Sequence, residues 1–453
     1  MKLTVKNIGP VKESTIDLDK NLLVLCGGNN TGKTYVAYTV YSFYSSFYKF
    51  INKEATIPST SIITESKEPT FISVVELVRM ANESMLDSTN NISKMIYLFF
   101  GGDDSNKELF SNSKISFLID EEFIVKKIID QSFEGQVEQD GLKLSYKKKK
   151  GNIDISFFVL SNNLDELLNP EDKLTSLFSK FLLKEIYVIF FNNIHIATAE
   201  RATINLFATE ILLGRNVGVR EKLFNNNELN GKGDKRYAIP IEDGLRDAID
   251  LKYLSKKESA YHYLAEALEQ QFLDGGKMGL SEYGEVMYQT EGDHGANLPI
   301  HLTASVVKSL SSIIFYFRHI AQKGDFIIID EPELNLHPDN QRKIARWLVR
   351  VVNAGFKVMI TTHSDYIIRE FNNLIMLQTA KNVETRNKLM EEFGYTAAEL
   401  LDPKEVGAYL FRKDGTCEDL EINETGFSVD SIDEEISKLN NVAESLYYGL
   451  HND

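Results

Sequence analysis

A glycine-rich octapeptide near the N-terminus has the residue types and the spacing that bind phosphate. It consists of Gly27, Gly28, Asn29, Asn30, Thr31, Gly32, Lys33 and Thr34. A glycine, four further residues and Gly-Lys-Thr allow successive backbone N–H groups to surround phosphate oxygens. In this pattern the lysine reaches the β- and γ-phosphates, and the threonine hydroxyl ligates magnesium. We therefore predict that the octapeptide binds ATP together with Mg2+.

The residues on either side predict a strand before the octapeptide and a helix after it. Residues 22–25 are apolar, and a second apolar run begins at Tyr35. A helix that starts here adds the positive end of its dipole to the phosphate site. Strand, loop and helix in this order are the context that the pattern requires, so the fold class is predicted to be α/β of the P-loop NTPase type.

A second candidate segment lies roughly 300 residues further along the chain. Residues 326–329 form an apolar run that ends in Asp330 and Glu331. A buried parallel strand that presents two acids at its carboxyl end suits the second half of a nucleotide site. We expect Asp330 to hold magnesium, directly or through water, and Glu331 to polarise the attacking water. Taken alone, the same pattern fits a core strand followed by an acidic turn.

His363 follows the next predicted strand. The sequence predicts an amphipathic helix after Asp339, which ends near Gly355, and then an apolar strand over residues 358–360. His363 stands just past that strand, and Ser364 is the expected cap of a further helix. A histidine at this place is positioned to contact a γ-phosphate. The alternative is a histidine with a structural or surface role.

Apolar residues at helical spacing predict another helix, over residues 306–320, upstream of the acidic segment. Ser305 is the expected N-cap of this helix. A serine hydroxyl and free N–H groups at a helix start can bind an anion. The local sequence fits a plain cap equally well.

Composition narrows the class of protein. The chain has 453 residues, a formal charge of −16 and two cysteines, Cys26 and Cys417. It contains no run of eighteen apolar residues, and its first residues lack the apolar core of a signal peptide, so we expect a cytoplasmic protein with no membrane partner. The acidic balance argues against a protein that coats nucleic acid over most of its surface, although it permits a local basic groove.

Taken together, these motifs resemble the ABC-type ATPase heads of the SMC, RecF and OLD class. The opening LTVKNIGPVKESTIDL is similar to the first hairpin of such heads, IIIDEPELNLHP to their Walker B motif and D-loop, and TTHSDYII to their switch-histidine segment. The resemblance covers residues 1–45 and 190–380. It implies an ABC/SMC-like ATPase head with a mixed central sheet.

The same resemblance implies a homodimer, or a higher oligomer, with ATP at the interface. Residues 298–308 stand where the class keeps its signature motif, so Ser305 would contact the ATP that the partner subunit holds. Members usually have glycine after that serine, and Val306 stands here instead. Residues 335–338 would lie at the subunit interface.

An element around Glu200 and Arg201 resembles a Glu-Arg element of defence-associated ATPases, which implies that the two side chains face the nucleotide or a coupling surface. As a bare sequence feature, it is an ion pair at a helix start.

We predict four regions. Residues 1–45 form an ATPase lobe with the phosphate loop, and residues 46–190 form an inserted α+β region with helical stretches at 71–86 and 92–100 and a hairpin over 142–158. Residues 191–380 form the lobe with the signature, Walker B and switch-histidine segments. Within this lobe, a hairpin over 281–300 leads into the signature segment. Residues 381–453 form a short α/β tail with a helix from 384, a hairpin over 406–422 and a final helix over 432–446.

Two basic stretches are candidate contacts for DNA, although a solvated surface is the alternative for both. One is the run of four lysines at 147–150, and the other is the Gly-, Asn- and Lys-rich segment 214–236. No heptad pattern is sustained over three repeats, so a long coiled-coil arm is not predicted.

The tail lacks the pattern that a metal-dependent TOPRIM nuclease requires. OLD-type nucleases carry a D-x-D pair at this place, whereas the nearest candidate, Asp430 and Asp433, has the wrong spacing. We therefore expect the tail to be structural or a docking surface, and any nuclease or toxin to be a separate chain.

The sequence favours an ATP-hydrolysing switch that controls such an effector in an anti-phage system. A RecF-like DNA-repair ATPase is the main alternative, and DNA binding stays open. A nucleotide-sensing scaffold with little turnover is a further possibility because of Val306. A transporter ATPase is disfavoured by the long separation between Lys33 and Asp330.

Overall fold

The computed structural model describes residues 1–54, 70–75, 78–79, 82, 89–90, 92–102, 105–118, 120–139, 142–159, 193–208, 237–292 and 295–451. The strands are β1 Lys2–Ile8, β2 Val11–Asp17, β3 Leu22–Gly27, β4 Thr70–Ser73, β5 Lys114–Leu118, β6 Phe133–Gln139, β7 Leu142–Lys148, β8 Asp154–Val159, β9 Ile194–Ala197, β10 Lys277–Leu280, β11 Val286–Gln289, β12 Asn297–Pro299, β13 Phe326–Asp330, β14 Lys357–Thr362, β15 Val406–Phe411 and β16 Cys417–Leu420.

The α-helices are Lys33–Glu54, Ile96–Phe99, Glu121–Ile129, Ile239–Leu254, His262–Phe272, Ser305–Phe315, Pro338–Asn353, Asp365–Thr379, Val383–Phe393 and Asp430–His451. Short 3-10 segments occur at Lys107–Phe110, Ile300–Leu302, Ala397–Glu399 and Pro403–Glu405, and a π-helical turn at Tyr316–Ile320. Within the parts of the chain that the structure describes, no helix is both long and apolar enough to cross a membrane.

The central sheet has six strands in the order β16-β15-β3-β14-β13-β9. Five of them run parallel, and only the edge strand β16 is antiparallel. Strands β3, β13 and β15 are buried along their whole length, as expected for parallel strands covered on both faces. The α/β fold class with a mixed central sheet is therefore confirmed.

Alternating side chains of the central strands enter two different cores. On one face, Leu23, Leu25 and Ile328 join the core formed by the β1–β2 hairpin and the helix from Lys33. On the other face, Val24 and Ile329 join the core under the helices that start at residues 305, 338 and 365. Helices are thus packed against both faces of the central sheet.

The carboxyl ends of β3, β14 and β13 meet at one edge of the sheet. Thr362 is in register with Cys26 on one side, and Thr361 is in register with Asp330 on the other. The loop after β3 and the acids after β13 are therefore separated by a single strand. In open parallel sheets this edge is where ligands bind.

The described part of the chain contains three smaller sheets, with the orders β2-β1-β5, β10-β11-β12 and β4-β8-β7-β6. They confirm the predicted hairpins at the N-terminus, over 281–300 and over 142–158. The prediction of a helix over 71–86 is wrong for its first residues, because residues 71–73 belong to strand β4. There, ladder hydrogen bonds to β8 replace helical ones.

The predicted helices after Asp339 and upstream of Asp330 are confirmed in position. The first buries Ile344, Leu348, Val351 and Val352, as its apolar spacing indicates. The second begins one residue early, so the prediction that Ser305 is its cap is wrong. Ala304 occupies the cap position in an extended conformation, and no side-chain cap hydrogen bond forms there.

The predicted helix from residue 384, the hairpin over 406–422 and the final helix are confirmed in position, and the two strands of the hairpin belong to the central sheet. Strand β15 lies directly beside β3, and β16 continues the hairpin. The final helix, Asp430–His451, leaves its described side chains from residue 438 onward exposed. Strand β15 of the tail therefore pairs with the strand that leads into the phosphate loop.

The lysine run at 147–150 is partly engaged inside the protein. The Lys148 ammonium is buried and donates hydrogen bonds to the carbonyls of Ile129, Gln131 and Lys149, at 2.8 to 3.2 Å. Lys147 forms an ion pair with Glu134 at 2.8 Å. The contacts of Lys148 take that lysine away from a contact with a phosphate backbone, whereas Lys147 and Glu134 form an exposed pair. Segment 214–236, the other basic stretch, lies outside the described residues.

Candidate nucleotide site

The backbone of the phosphate loop takes conformations that its glycines make possible. Gly27 and Gly32 have φ angles of 136° and 96°, and Asn30 has φ 62°. A Cβ on Gly27 would stand 2.3 Å from the carbonyl oxygen of Phe411, and one on Gly32 would stand 2.3 Å from Val11. Neighbouring strands therefore exclude side chains at both positions. Gly28, with Asn29 and Asn30, forms the exposed tip of the loop.

Lys33 lies inside this loop. Its ammonium is almost fully buried and donates hydrogen bonds to the carbonyl oxygens of Gly27 and Gly28 at 2.9 and 2.8 Å. The Thr31 hydroxyl also donates to the Gly28 oxygen, at 2.9 Å. Burial lowers the pKa of Lys33, while the nearby acids of the β13 segment oppose that shift. An ammonium has three donors, so one remains to bind a phosphate oxygen.

Asp330 is completely buried at the end of β13 and meets the loop directly. The Thr34 hydroxyl donates to Asp330 Oδ1 at 3.2 Å, and the Thr361 hydroxyl donates to the same oxygen. Among the described residues, the buried Oδ2 has no hydrogen-bond partner. Burial raises the pKa of Asp330 to about 6, and the hydrogen bonds from Thr361 and Thr34 partly oppose this.

These groups fit a magnesium ion. An unpaired buried carboxylate oxygen is costly unless a cation or a donor satisfies it. Mg2+ binds through oxygen, commonly with one or two protein ligands beside substrate phosphates and water. The hydroxyl of Thr34 and the free oxygen of Asp330 are such ligands, and they lie on facing elements.

Glu331 sits in an unusual backbone conformation. Its φ is 50°, which is rare for a residue with a side chain and is concentrated at functional sites. The amide of Glu331 donates to the Thr361 hydroxyl at 3.0 Å, and its carbonyl accepts from Arg201 at 2.9 Å. Both ends of the residue are thus held. Its partly exposed carboxylate is directed out of the strand, next to His363.

His363 lies beside both acids that follow Asp330. Its Nδ1 is 3.8 Å from Glu331 Oε1 and 3.3 Å from Glu333 Oε1. The buried Glu333 also accepts the His363 amide and the Thr362 hydroxyl, both at 2.8 Å. Burial raises the pKa of Glu333. The imidazole is half exposed, and Ser364 caps the following helix as predicted.

Arg201 holds the acidic segment from behind. Its buried guanidinium donates to the carbonyls of Asp330, Glu331, Ser309 and Thr198, at 2.7 to 3.0 Å. The interpretation of Glu200 and Arg201 as an ion pair is corrected by these contacts. Arg201 binds carbonyl oxygens of the strand end, whereas Glu200 accepts from the Tyr38 hydroxyl at 2.9 Å.

The structure brings Lys33, Thr34, Asp330, Glu331 and His363 together within one chain. Ser305 stands apart, exposed at the start of its helix. That helix is nevertheless connected to the site, because Asn335 donates to the Ser309 hydroxyl at 2.8 Å, and Arg201 binds the Ser309 carbonyl.

Sequence reasoning missed Thr361 and Glu333 and misjudged Arg201. Thr361 lies in TTHSDYII and Glu333 in IIIDEPELNLHP, but nothing in their spacing shows that they hydrogen-bond Asp330 and His363. A buried Arg201 could have been suspected only from the apolar residues around it.

Fold and site together define a P-loop ATPase domain. Residues 1–368 match the AAA ATPase domain family (AAA_15), and the chain belongs to that family. None of the curated proteins matches the chain.

Solved structures of SMC heads show a weak similarity. An Smc head bound to the C-terminal winged-helix domain of ScpA is 10% identical, with 92% of this chain and 96% of that chain covered and a TM-score of 0.32. The SMC head domain of Thermotoga maritima is 10% identical, with coverages of 93% and 98% and a TM-score of 0.29. The Pyrococcus furiosus Smc head bound to the C-terminal domain of ScpA is 10% identical, with coverages of 98% and 98% and a TM-score of 0.29. These scores are too low to assign function.

The buried Asp330 predicts a pH-dependent cost to stability. The folded-state pKa of Asp330 is about 6 and exceeds the ordinary 3.8. The contribution of this group to the free energy of unfolding is therefore present in full below pH 3.8 and is lost as the pH rises through 6. Each pKa unit corresponds to about 1.4 kcal/mol. Asp330→Asn should therefore gain about 2 to 3 kcal/mol in free energy of unfolding, relative to wild type, between pH 4 and pH 8. Chemical denaturation without nucleotide or Mg2+ measures this.

The exposed Asp274 provides a control for the loss of one carboxylate. Asp274 has φ 49°, which asparagine tolerates, so Asp274→Asn should not change stability with pH in this way. An Asp330→Asn effect that is the same at both pH values would contradict the assignment.

Proposed function

We propose that this chain binds ATP with Mg2+, hydrolyses it between two copies of itself, and works as a nucleotide-driven switch. The observation that carries the proposal is the contact between Thr34 and Asp330, 3.2 Å apart although nearly 300 residues separate them. Through this contact the phosphate loop and the acidic strand end are neighbours. Membership of the AAA ATPase domain family supports nucleotide binding.

Each residue has a role that its surroundings permit. The loop amides and Lys33 bind the phosphates, and Thr34 and Asp330 would hold Mg2+. Held by these two residues, Mg2+ would supply positive charge beside the phosphates. Glu331 orients the attacking water and takes its proton, because its carboxylate is partly exposed while its backbone is fixed at both ends.

His363 is placed to sense the γ-phosphate. Glu333 holds its backbone amide and lies 3.3 Å from its ring nitrogen, so the imidazole is oriented rather than free. A ring that contacts both Glu331 and the terminal phosphate would report whether that phosphate is present. The helix capped by Ser364 follows directly and would carry the change outward.

A second copy would complete the site. Ser305, Asn335 and His337 are exposed, and the helix that Ser305 begins is tied through Ser309 to Asn335 and Arg201. The start of this helix would bind the ATP that the partner copy holds. Closure would exclude water and align the nucleophile, so that catalysis proceeds mainly by positioning and charge stabilisation.

The switch would act on a separate effector, a nuclease or toxin, in an anti-phage system in the cytoplasm. The resemblance of the sequence to defence-associated ATPases supports this role. Burial of Lys148 within the protein weakens one reason to favour a RecF-like DNA-repair ATPase.

Glu331→Gln tests hydrolysis. The amide keeps the shape of the side chain but cannot accept the proton, so ATP turnover should fall by about 100-fold or more. Binding should survive, and the variant should accumulate as an ATP-bound dimer. Phosphate release and light scattering after gel filtration, each with and without ATP, measure the two effects.

Glu418→Gln is the matched control, because that carboxylate pairs with Arg412 on an exposed hairpin. It should behave as wild type. Unchanged turnover in Glu331→Gln would refute the catalytic role of Glu331. Normal binding and turnover in Lys33→Ala would refute the site itself.

Mixing two inactive variants tests the role of Ser305. Lys33→Ala damages the loop, and Ser305→Arg should block the contact from the opposite copy. In a mixed dimer, one of the two sites combines an intact loop with an intact Ser305. A one-to-one mixture should therefore recover about a quarter of wild-type turnover, if copies pair at random in a two-fold dimer. No recovery, or full activity of Ser305→Arg alone, would exclude this arrangement.

A further inference from the structure

An apolar groove lies between the helices Asp365–Thr379 and Val383–Phe393. Its volume is about 540 Å3, and its walls include Met376 and Leu377 from the first helix and Leu389 and Phe393 from the second. Met376, Leu389 and Phe393 are 43%, 39% and 59% exposed. An exposed apolar groove with a polar rim has the character of an interaction site.

The rim of the groove is basic. Arg342 and Arg386 contribute to its lining, and no carboxylate does so among the described residues. Arg342 is already paired with Glu370 at 2.9 Å. The Nε of Arg386 is enclosed and has no hydrogen-bond partner in the described part of the chain. The groove therefore suits an apolar segment that carries negative charge.

The final helix, Asp430–His451, has the complementary character. Leu439, Val442, Leu446 and Leu450 recur at helical spacing and are 69%, 55%, 57% and 73% exposed. Such a stripe normally packs against a neighbour. The sequence of the helix contains five acidic residues and a single lysine. The 22-residue helix is about 33 Å long, at about 1.5 Å per residue.

The helix starts from a fixed point beside the groove. Asn372 donates to the carbonyl of Phe427 at 2.8 Å and accepts from its amide at 3.0 Å. Phe427 and Val429 are buried, and the helix begins at the next residue, Asp430. The described side chains of the helix from residue 438 onward are exposed, so they do not occupy the groove of their own chain.

We propose that the final helix of one copy docks into the groove of a second copy, so that two chains exchange helices. The apolar stripe covers Met376, Leu389 and Phe393, and Glu444 lies towards Arg386. The exchange is isologous, with the same two surfaces used twice. It requires no nucleotide, so it is separate from the ATP-dependent contact proposed above.

Cross-linking of mixed variants tests the exchange. Leu389→Cys marks the groove, and Leu439→Cys, Leu446→Cys or Leu450→Cys marks the helix, each in a Cys417→Ser background with a flexible bis-maleimide. Mixing a groove variant with a helix variant should give a covalent dimer of twice 51.5 kDa, without nucleotide and also with Lys33→Ala. Each variant alone should stay largely uncross-linked.

Charge reversal supplies a second measurement. Arg386→Glu should weaken the nucleotide-free dimer at least about tenfold in analytical ultracentrifugation, and Glu444→Arg in the same chain should restore it. Glu444 is exposed and Arg386 is partly exposed, so both variants should remain folded, and thermal unfolding checks this.

Three results would overturn the exchange. Efficient cross-linking of a helix variant with itself would show that the final helices pair with each other. If one chain carries both cysteines and the cross-link forms within that chain, without a covalent dimer, the helix docks into the groove of its own chain. A chain that is monomeric without nucleotide and gives no cross-link would show that no second copy occupies the groove. Loss of ATP binding in Lys33→Ala leaves this test intact, so it can fail or succeed independently of the proposed ATPase function.

Discussion

The buried carboxylate of Asp330 connects the two halves of the site. One of its oxygens accepts hydrogen bonds from Thr34 and Thr361, and the other has no partner among the described residues. A group in this state is destabilising on its own and becomes favourable when a cation binds. The unpaired oxygen therefore lowers the stability of the folded chain and leaves a position that suits a cation. This is a common compromise at functional sites.

The geometry around Asp330 follows from the sheet. Strands β3, β14 and β13 are parallel neighbours, so the phosphate loop, Thr361 and Asp330 emerge at the same edge. Behind them, Arg201 binds four carbonyl oxygens, including those of Asp330 and Glu331. Removing one partner from such a buried charged network leaves others unpaired, which is strongly destabilising. The unusual backbone of Glu331 can thus persist because its surroundings fix it.

Much of this site could be predicted from the sequence because its parts are local patterns. The phosphate loop needs glycines at fixed places, and apolar runs that end in polar residues mark the strand ends. The order of strands in the sheet is less local. Strand β15 lies beside β3, and no pattern within residues 406–411 reveals that neighbour.

What the sequence could not show are contacts between distant side chains. Charged residues such as Arg201 and Glu333 are usually expected on the surface, yet both are buried. Carbonyl oxygens accept from Arg201, and a hydroxyl and an amide donate to Glu333. Lys148 was expected at a solvated tip and is instead enclosed by carbonyls. In each case the partner comes from another element, so only the assembled fold reveals the role.

The most direct measurement of the central claim is a double-mutant cycle on nucleotide affinity. Thr34→Val, Asp330→Asn and the double variant would be titrated with a non-hydrolysable ATP analogue, by calorimetry, with Mg2+ and with EDTA. If both side chains hold one ion, their effects will be coupled by about 1 kcal/mol or more with Mg2+, and the coupling will fall towards zero with EDTA. Additive effects in Mg2+, or coupling that is the same in EDTA, would contradict the account.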